Sequence, residues 1–371
     1  MLRRGHASWL RFASFLALIT AGCSAQTPPE RGVGSGQPQT SAAASSSASS
    51  GLAPGYEVHE WGLVRAEPAG PKGVDKVRIG GVAPPVPPEI FIVTKPVLYF
   101  RADAPMTLKS VTVRAPGGTI PETWPLATPG SDEHTVEWTD VSIDPLSACP
   151  FSRLPRKTDP PCSKLAAGEE CESLGLAAVR SVDASCVRVA GKTDSYLFYR
   201  ITTDALTPPL RFKRGEDGRF EVTNEGDEAV PGTLLRIETT QARTRTLSVR
   251  PPAPHRTIVV GQGFPTSEPG PAVDEQSLPI PRVVVGTGRE DLRASLREQG
   301  LAETEIDAFM KTWDETLFGS PSTGGFRPIQ PGTSFLYFLP EAMLERAAQV
   351  TFDPPPRAIR RACAVWTQAG P

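Results

Sequence analysis

The sequence has little of what catalytic and nucleic-acid-binding proteins usually need. It contains only four histidines in 371 residues, and it has no Gly-x-Ser-x-Gly nucleophile motif and no glycine-rich phosphate loop. His59-Glu60 begins like a zinc-protease motif, but the second histidine that such a motif needs is replaced by Leu63. Basic residues are not in excess, since 39 Lys and Arg face 41 Asp and Glu, which argues against a nucleic-acid-binding protein.

Helical periodicity is also scarce before residue 287. The chain has 40 prolines and 33 glycines, and an internal proline removes a helical hydrogen bond and clashes with the preceding turn. This composition excludes a helical bundle. With 39% apolar residues, the chain still has enough side chains for a core of ordinary size.

The N-terminus is typical of an exported lipoprotein. Arginines precede an uncharged, mostly apolar run at residues 12–22, which is too short for a membrane-spanning helix but suits a secretory signal. The run ends in Ala21-Gly22-Cys23, and it resembles the lipobox after which a bacterial signal peptidase cleaves and a lipid is attached to the cysteine. We therefore expect residues 1–22 to be a signal peptide. Cys23 is expected to carry the lipid and a fatty acyl group such as palmitate. The alternative is an ordinary cleaved signal peptide with an incidental cysteine.

The residues that follow Cys23 predict a flexible tether. Residues 24–54 are mostly Ser, Ala, Gly, Pro and Thr, and they offer almost nothing to a hydrophobic core. By resemblance to Gram-negative lipoprotein sorting, Ser24 favours the outer membrane. We expect an exported protein that is attached to the cell envelope through its lipid, with an envelope protein or a glycan as its partner.

Alternating apolar residues predict a mainly β body after residue 54. Short runs of β-branched and aromatic residues are bounded by Pro, Gly, Asp and Asn, which favours an antiparallel β-sandwich. Pro96 within one run predicts an edge or a bulge there. The predicted strands cover residues 56–65, 90–100, 108–115, 134–143, 196–202, 210–214, 219–223, 233–239, 244–249 and 257–261.

The pattern changes to helices near residue 281. Thr287 to Glu290 has capping-box spacing and Gly300 is a natural helix stop, so a helix is predicted between them. A second helix is predicted from one apolar stripe that packs on the sheet: Ile306, Phe309, Met310, Trp313 and Leu317. Return strands are predicted at 335–339, 349–352 and 358–366. We expect residues 55–270 to form the β-rich body and 271–371 an α+β part packed on it.

Four cysteines lie close together in a predicted loop at residues 144–190. Cys149, Cys162, Cys171 and Cys186 would form two disulfides in an oxidising compartment, with three possible pairings. A zinc site is the alternative, but the four lack the close pair that such sites use. Cys363 lies in a strand-like apolar run and is expected to be a buried free thiol. We expect no metal and no cofactor.

Several pieces of the body resemble a group of exported Gram-negative proteins with a His-Glu-Trp-Gly opening signature and no established activity. The opening is Val58-His59-Glu60-Trp61-Gly62, and it then departs from the usual Thr-Phe-Thr. Further matching pieces lie in the same order, and they are Lys95 to Phe100, Glu122 to Pro125, Ala177 to Arg180 with Asp183-Ala184, Leu197 to Arg200, and the closing helix and strand. The resemblance implies an architecture and no reaction.

Five polar residues of these pieces are embedded in strand-like, apolar sequence, and they are His59, Glu60, Arg180, Asp183 and Arg200. Buried charges need partners, so these residues either pair with one another or line a cleft. Arg200 is expected to be buried beside Asp183 or Glu60. Structural pairing predicts a non-enzymatic binding or structural module. The alternative is a hydrolase-like enzyme with Glu60, His59 and Asp183 as acid and base. The sequence identifies no catalytic residue beyond this cluster.

Overall fold

The computed structural model describes residues 55–66, 91–145, 148–165, 171–203, 206–240, 243–261, 283–319 and 332–369. The predicted signal peptide, Cys23 and the tether lie outside these residues. The described ranges all belong to one compact unit. Within them, every helix is too short or too polar to cross a membrane.

The chain is built mainly from strands, with three α-helices near its end. The first nine strands are β1 Tyr56–Ala66, β2 Phe91–Ala102, β3 Met106–Arg114, β4 Gly118–Trp124, β5 Thr128–Pro129, β6 Thr135–Asp144, β7 Cys186–Val189, β8 Lys192–Asp194 and β9 Leu197–Thr203. The next nine are β10 Leu210–Arg214, β11 Phe220–Asn224, β12 Leu234–Thr239, β13 Arg243–Val249, β14 Thr257–Val260, β15 Val283–Val285, β16 Gly332–Phe338, β17 Gln349–Asp353 and β18 Ala358–Gln368. The α-helices are α1 Gly288–Glu298, α2 Glu303–Phe318 and α3 Glu341–Ala347, and 3-10 helices cover Cys162–Lys164 and Glu172–Ser181.

A nine-stranded sheet forms the centre of the molecule. Its strand order is β15-β13-β12-β16-β18-β1-β2-β9-β4. The β1–β18 and β13–β15 pairs are parallel, and the other pairs are antiparallel. The first and last long strands of the body are therefore neighbours. Of the predicted return strands, β16 and β18 lie in the middle of this sheet, whereas β17 lies outside it.

Two smaller sheets cover one face of the central sheet. One has the order β17-β3-β6-β7-β8, with β5 beside β6, and the other has the order β10-β11-β14. Alternate residues of the central strands, such as Val58, Leu98 and Val365, join the inner residues of both smaller sheets in one hydrophobic core. The predicted mainly β, sandwich-like body is confirmed by this arrangement.

Helices cover the opposite face of the central sheet. Trp61, Leu63 and other residues of the alternate parity pack there against α1, α2 and the 3-10 helix Glu172–Ser181. The five residues of the predicted α2 stripe are all buried in this second core, as expected from their spacing. The molecule is thus a layer of helices, a large sheet and two smaller sheets.

Pro96 lies at a bulge in the middle of the central sheet. The pairing of β2 with β1 shifts register between Trp61 and Leu63, and its pairing with β9 shifts between Val93 and Val97. A Cβ atom on Gly62 would lie 3.1 Å from the Pro96 Cα, so the close approach of the two strands favours glycine there. Of the two predicted alternatives, the bulge is the one found, because β2 has neighbours on both sides.

The cysteines of the predicted loop form two disulfides, as expected. Cys149 bonds Cys186 and Cys162 bonds Cys171, while Cys363 is a buried free thiol. The disulfides use all four sulfur atoms of the loop and leave none for zinc. Parts of the loop are more regular than its composition suggests, because they form the 3-10 helix Glu172–Ser181 and strand β7.

Candidate functional site

The five polar residues singled out from the sequence do not form one cluster. His59 and Glu60 are consecutive on β1, so their side chains point to opposite faces of the central sheet. Glu60 lies on the face covered by the smaller sheets, whereas His59 and Arg200 lie on the face covered by helices. Four of the five belong to four separate polar groups, and Asp183 is exposed.

The first group joins β1 to β18 beneath the smaller sheets. Glu60 and Arg361 are register partners, and the Arg361 Nε donates to Glu60 Oε2 at 2.8 Å. Arg361 also donates to Glu60 Oε1 at 3.2 Å and to the Ala348 carbonyl at 3.0 Å. The Tyr199 hydroxyl donates to Glu60 Oε1 at 2.6 Å. Glu60 is therefore held by a guanidinium and a phenol inside a closed core.

The surroundings of Glu60 shift the pKa of its neighbours. Burial is the largest cause that raises the pKa of Tyr199, and the Glu60 carboxylate adds to it. Burial alone would lower the pKa of Arg361, but Glu60, Tyr199 and Glu345 outweigh it, so that pKa is raised. Burial also raises the pKa of the Cys363 thiol to about 12, with Glu60 as a second cause. Tyr199 and Cys363 therefore stay protonated at neutral pH and Arg361 stays charged.

The second group fixes α2 to the central sheet. His59 Nδ1 lies 2.8 Å from Glu305 Oε2, and Arg101 donates to Glu305 Oε1 at 2.9 and 3.2 Å from its two nitrogens. The backbone N–H of Ala302 also donates to Glu305, at 2.8 Å. Burial raises the pKa of Glu305, but His59, the Ala302 N–H and Arg101 outweigh it, and the pKa is lowered. This carboxylate therefore stays ionised at the first turn of α2.

The third group contains Arg200, whose partner differs from the expected ones. Arg200 is buried as predicted, and its Nε lies 3.8 Å from Glu122 Oε2 on the neighbouring strand β4. The prediction named Asp183 or Glu60, and it was wrong on the partner. The same Glu122 carboxylate accepts from the backbone N–H groups of Ser173 at 2.7 Å and Glu172 at 3.1 Å. Glu122 thus caps the start of the 3-10 helix Glu172–Ser181.

The fourth group is centred on Asp194 of β8, which is completely buried. Arg180 Nε donates to Asp194 Oδ1 at 3.0 Å, and the Trp124 indole donates to Oδ2 at 3.0 Å. The Arg180 guanidinium also stacks 5.0 Å from the centre of the Phe151 ring. The Cys149–Cys186 disulfide lies in the same segment, so this group and the disulfide together hold the loop on the sheet.

Three carboxylates that organise these groups were not predicted as site residues from the sequence, and they are Glu122, Asp194 and Glu305. Glu122 lies in one of the resembling pieces, so its position beside Trp124 was a usable signal. In the sequence, Asp194 and Glu305 resemble the acidic residues of an exposed surface. Only their burial in the structure distinguishes them from such residues. Asp183 donates its backbone N–H to Thr304 at 3.3 Å and leaves its carboxylate toward solvent.

An open cleft of about 460 Å³ lies at the end of β16. Its floor contains Ile359, Arg360 and Arg361 of β18. The walls come from three other segments, and their lining residues are Glu228, Ala229, Pro231, Gln299, Leu339, Pro340 and Glu341. The lining mixes apolar residues with charges of both signs and contains no aromatic side chain, so it is more polar than a usual small-molecule pocket. Among the described residues, no set of three His, Cys, Asp or Glu side chains has the arrangement of a metal site.

The chain matches no protein-family model and no curated protein. The interpretation of its function therefore depends on its own residues and their geometry.

Proposed function

We propose that this protein is a lipid-anchored lipoprotein of the cell envelope whose β-rich body binds a partner and is not an enzyme. The observation that carries the proposal is the contrast between two kinds of site. The polar residues embedded in the strands are used in buried pairs that hold the layers together, whereas the open cleft at the end of β16 presents the exposed side chains of Arg360 and Glu341.

Export is supported by the two disulfides, which persist in oxidising compartments. The sequence before Cys23 supports lipidation, and the Ser24 that follows favours the outer membrane. Lipid, tether and folded body in this order would let the body reach a partner at some distance from the membrane.

The anchor is tested by replacing Cys23 with Ser in the full chain. The parent protein should enter the detergent phase on phase separation and incorporate labelled palmitate in a Gram-negative host. The Cys23→Ser variant should remain in the aqueous phase without label. A Cys363→Ser variant is the matched control and should keep its label. Equal partitioning of the Cys23→Ser variant and the parent would contradict the proposal.

A further inference from the structure

The cleft lies beside the part of β18 that extends beyond its pairing with β16. β18 pairs with β1 along nearly its whole length, from Ala358 opposite Glu57 to Thr367 opposite Ala66. On its other side β18 pairs with β16 only from Gln368 back to Ala364, which is opposite Phe338. Within the described part of the chain, residues 358–362 therefore have a strand partner on one side only.

β16 itself does not continue into this place. Leu339 donates one last backbone hydrogen bond to the Cys363 carbonyl at 2.9 Å, and Pro340 then turns the chain into α3. Proline has no N–H, so it could not continue the ladder. On the far side, the segment that leads into β12 lies across the cleft, where it contributes Ala229 and Pro231.

The strand order places the cleft in line with β16. β16 lies between β12 and β18, and neighbouring strands are about 4.8 Å apart. A strand that continued the line of β16 would lie at this spacing from β18, with the segment before β12 on its other side. The backbone groups of Cys363 face β16, and residues two apart on a strand present their backbone groups to the same side. Those of Ile359 and Arg361 thus face the cleft.

The charged residues around the cleft differ in sign between the two faces of the sheet. Arg360 lies on the helix side, because its side chain packs over Gly300 at the end of α1, close to Gln299. Glu341 begins α3 on the other side, and Glu228 lies there too, 3.8 Å from Arg346 of the same helix. Neighbouring residues of an extended peptide point to opposite sides, so an acidic residue would meet Arg360 and the next, basic residue would meet Glu228 and Glu341.

We propose that this cleft binds an extended peptide segment of a partner protein, which continues the line of β16 and pairs with β18 as an added strand. The segment carries an acidic residue next to a basic one. Backbone hydrogen bonds to Ile359 and Arg361 supply the affinity, and the alternating charges supply the register and the specificity. The inference names the partner class of the proposed binding function and rests on that function.

The test uses the full chain and a library of acetylated, amidated hexapeptides, Thr-Val-X-X-Val-Thr, in which both X positions are varied. The expected binders have Asp or Glu beside Lys or Arg. Their dissociation constants should rise about fivefold to tenfold in Arg360→Glu and in Glu341→Lys. The control variants Lys109→Glu and Glu133→Lys change exposed side chains on other surfaces and should bind as the parent does.

Two further readouts distinguish strand addition from loose charge attraction. In hydrogen exchange, the bound peptide should slow the amides of Ile359 and Arg361. N-methylation of the peptide amides that face β18 should abolish binding, and N-methylation of the alternate set should weaken it less, because only the first set donates hydrogen bonds to β18.

The same protein is tested on a glycan array. Glycan binding that is lost in Arg360→Glu, without peptide binding, would overturn the peptide proposal and leave the binding function standing. Binding of neither class would overturn both. Peptide binding that is equal in the parent and the two cleft variants would place the site elsewhere and overturn the inference.

Discussion

Glu60 and Arg361 are partners across the parallel pair β1–β18, although 301 positions separate them in the chain. The guanidinium of Arg361 donates two hydrogen bonds to the Glu60 carboxylate, and both side chains are almost completely buried. The pair connects the first and last long strands of the body. It also lies beneath the proposed peptide cleft, whose floor includes Arg361.

Replacing Arg361 with Met should destabilise the protein by about 3–5 kcal/mol, because Glu60 would be left as an unpaired buried charge. Urea unfolding followed by tryptophan fluorescence measures this loss. The double variant Arg361→Met with Glu60→Leu removes both charges and should recover much of it. Arg357→Ala, which breaks an exposed pair with Asp103, is the control and should have little effect. A double variant as unstable as the single one would argue against the pairing.

Replacing Arg200 with Ala should also destabilise the protein by about 3–5 kcal/mol, since the buried Glu122 carboxylate would lose the positive charge beside it and keep only its backbone N–H donors. Glu122 also caps the 3-10 helix Glu172–Ser181, so Glu122→Gln should speed hydrogen exchange in that helix more than elsewhere. Arg211→Ala, at an exposed pair with Glu225, is the matched control. Unchanged exchange in residues 172–181 would show that Glu122 does not hold the helix.

The Glu305 carboxylate should make stability depend on pH. Its pKa is lowered in the folded protein, so its contribution is complete above the unfolded value of about 4.3 and is lost as pH falls through the folded pKa. Glu305→Gln should therefore be less stable than the parent at pH 7, and the difference should shrink below about pH 4. Urea unfolding between pH 3 and 7 measures it. A difference that stays constant to pH 3 would contradict this role.

The two disulfides should differ in what they contribute. The Cys149–Cys186 bond spans 37 positions and the Cys162–Cys171 bond spans 9, so loop closure predicts stabilisation of about 4 and about 2.5 kcal/mol. Paired Cys→Ser variants and denaturant unfolding test the order.

The unfolded, unreduced chain should show Cys363 as its one free thiol besides any unlipidated Cys23. In the folded protein this thiol should react very slowly with iodoacetamide, because it is buried and its pKa is raised to about 12.

Much of the fold could be predicted from local patterns. The alternation in β3 and the stripe on α2 identify which side chains must be buried, since strand and helix geometry place residues on faces at fixed intervals. Six elements were missed, because they are short or carry Gly and Pro signals that are typical of loops: β4, β5, β7, β8, β15 and α3.

The candidate sites were less predictable. Arg200 was expected to need a buried carboxylate, and it has one, but nothing near it in sequence distinguishes Glu122 from Asp183 or Glu60. No sequence pattern predicts the cleft. It arises because β16 and β18 are neighbours in one sheet and β16 pairs with only part of the longer β18.

The sequence alone determined the strand-rich class, the helices that follow it, the oxidised cysteines and the burial of Arg200, because these depend on side-chain periodicity and on the chemistry of single residues. Tertiary structure decided the sheet order, the disulfide pairing, the partners of each buried charge and the place of the cleft. These depend on which distant segments become neighbours when three layers pack. A carboxylate at position 60 is equivalent to one at position 122 until packing brings a particular arginine beside it.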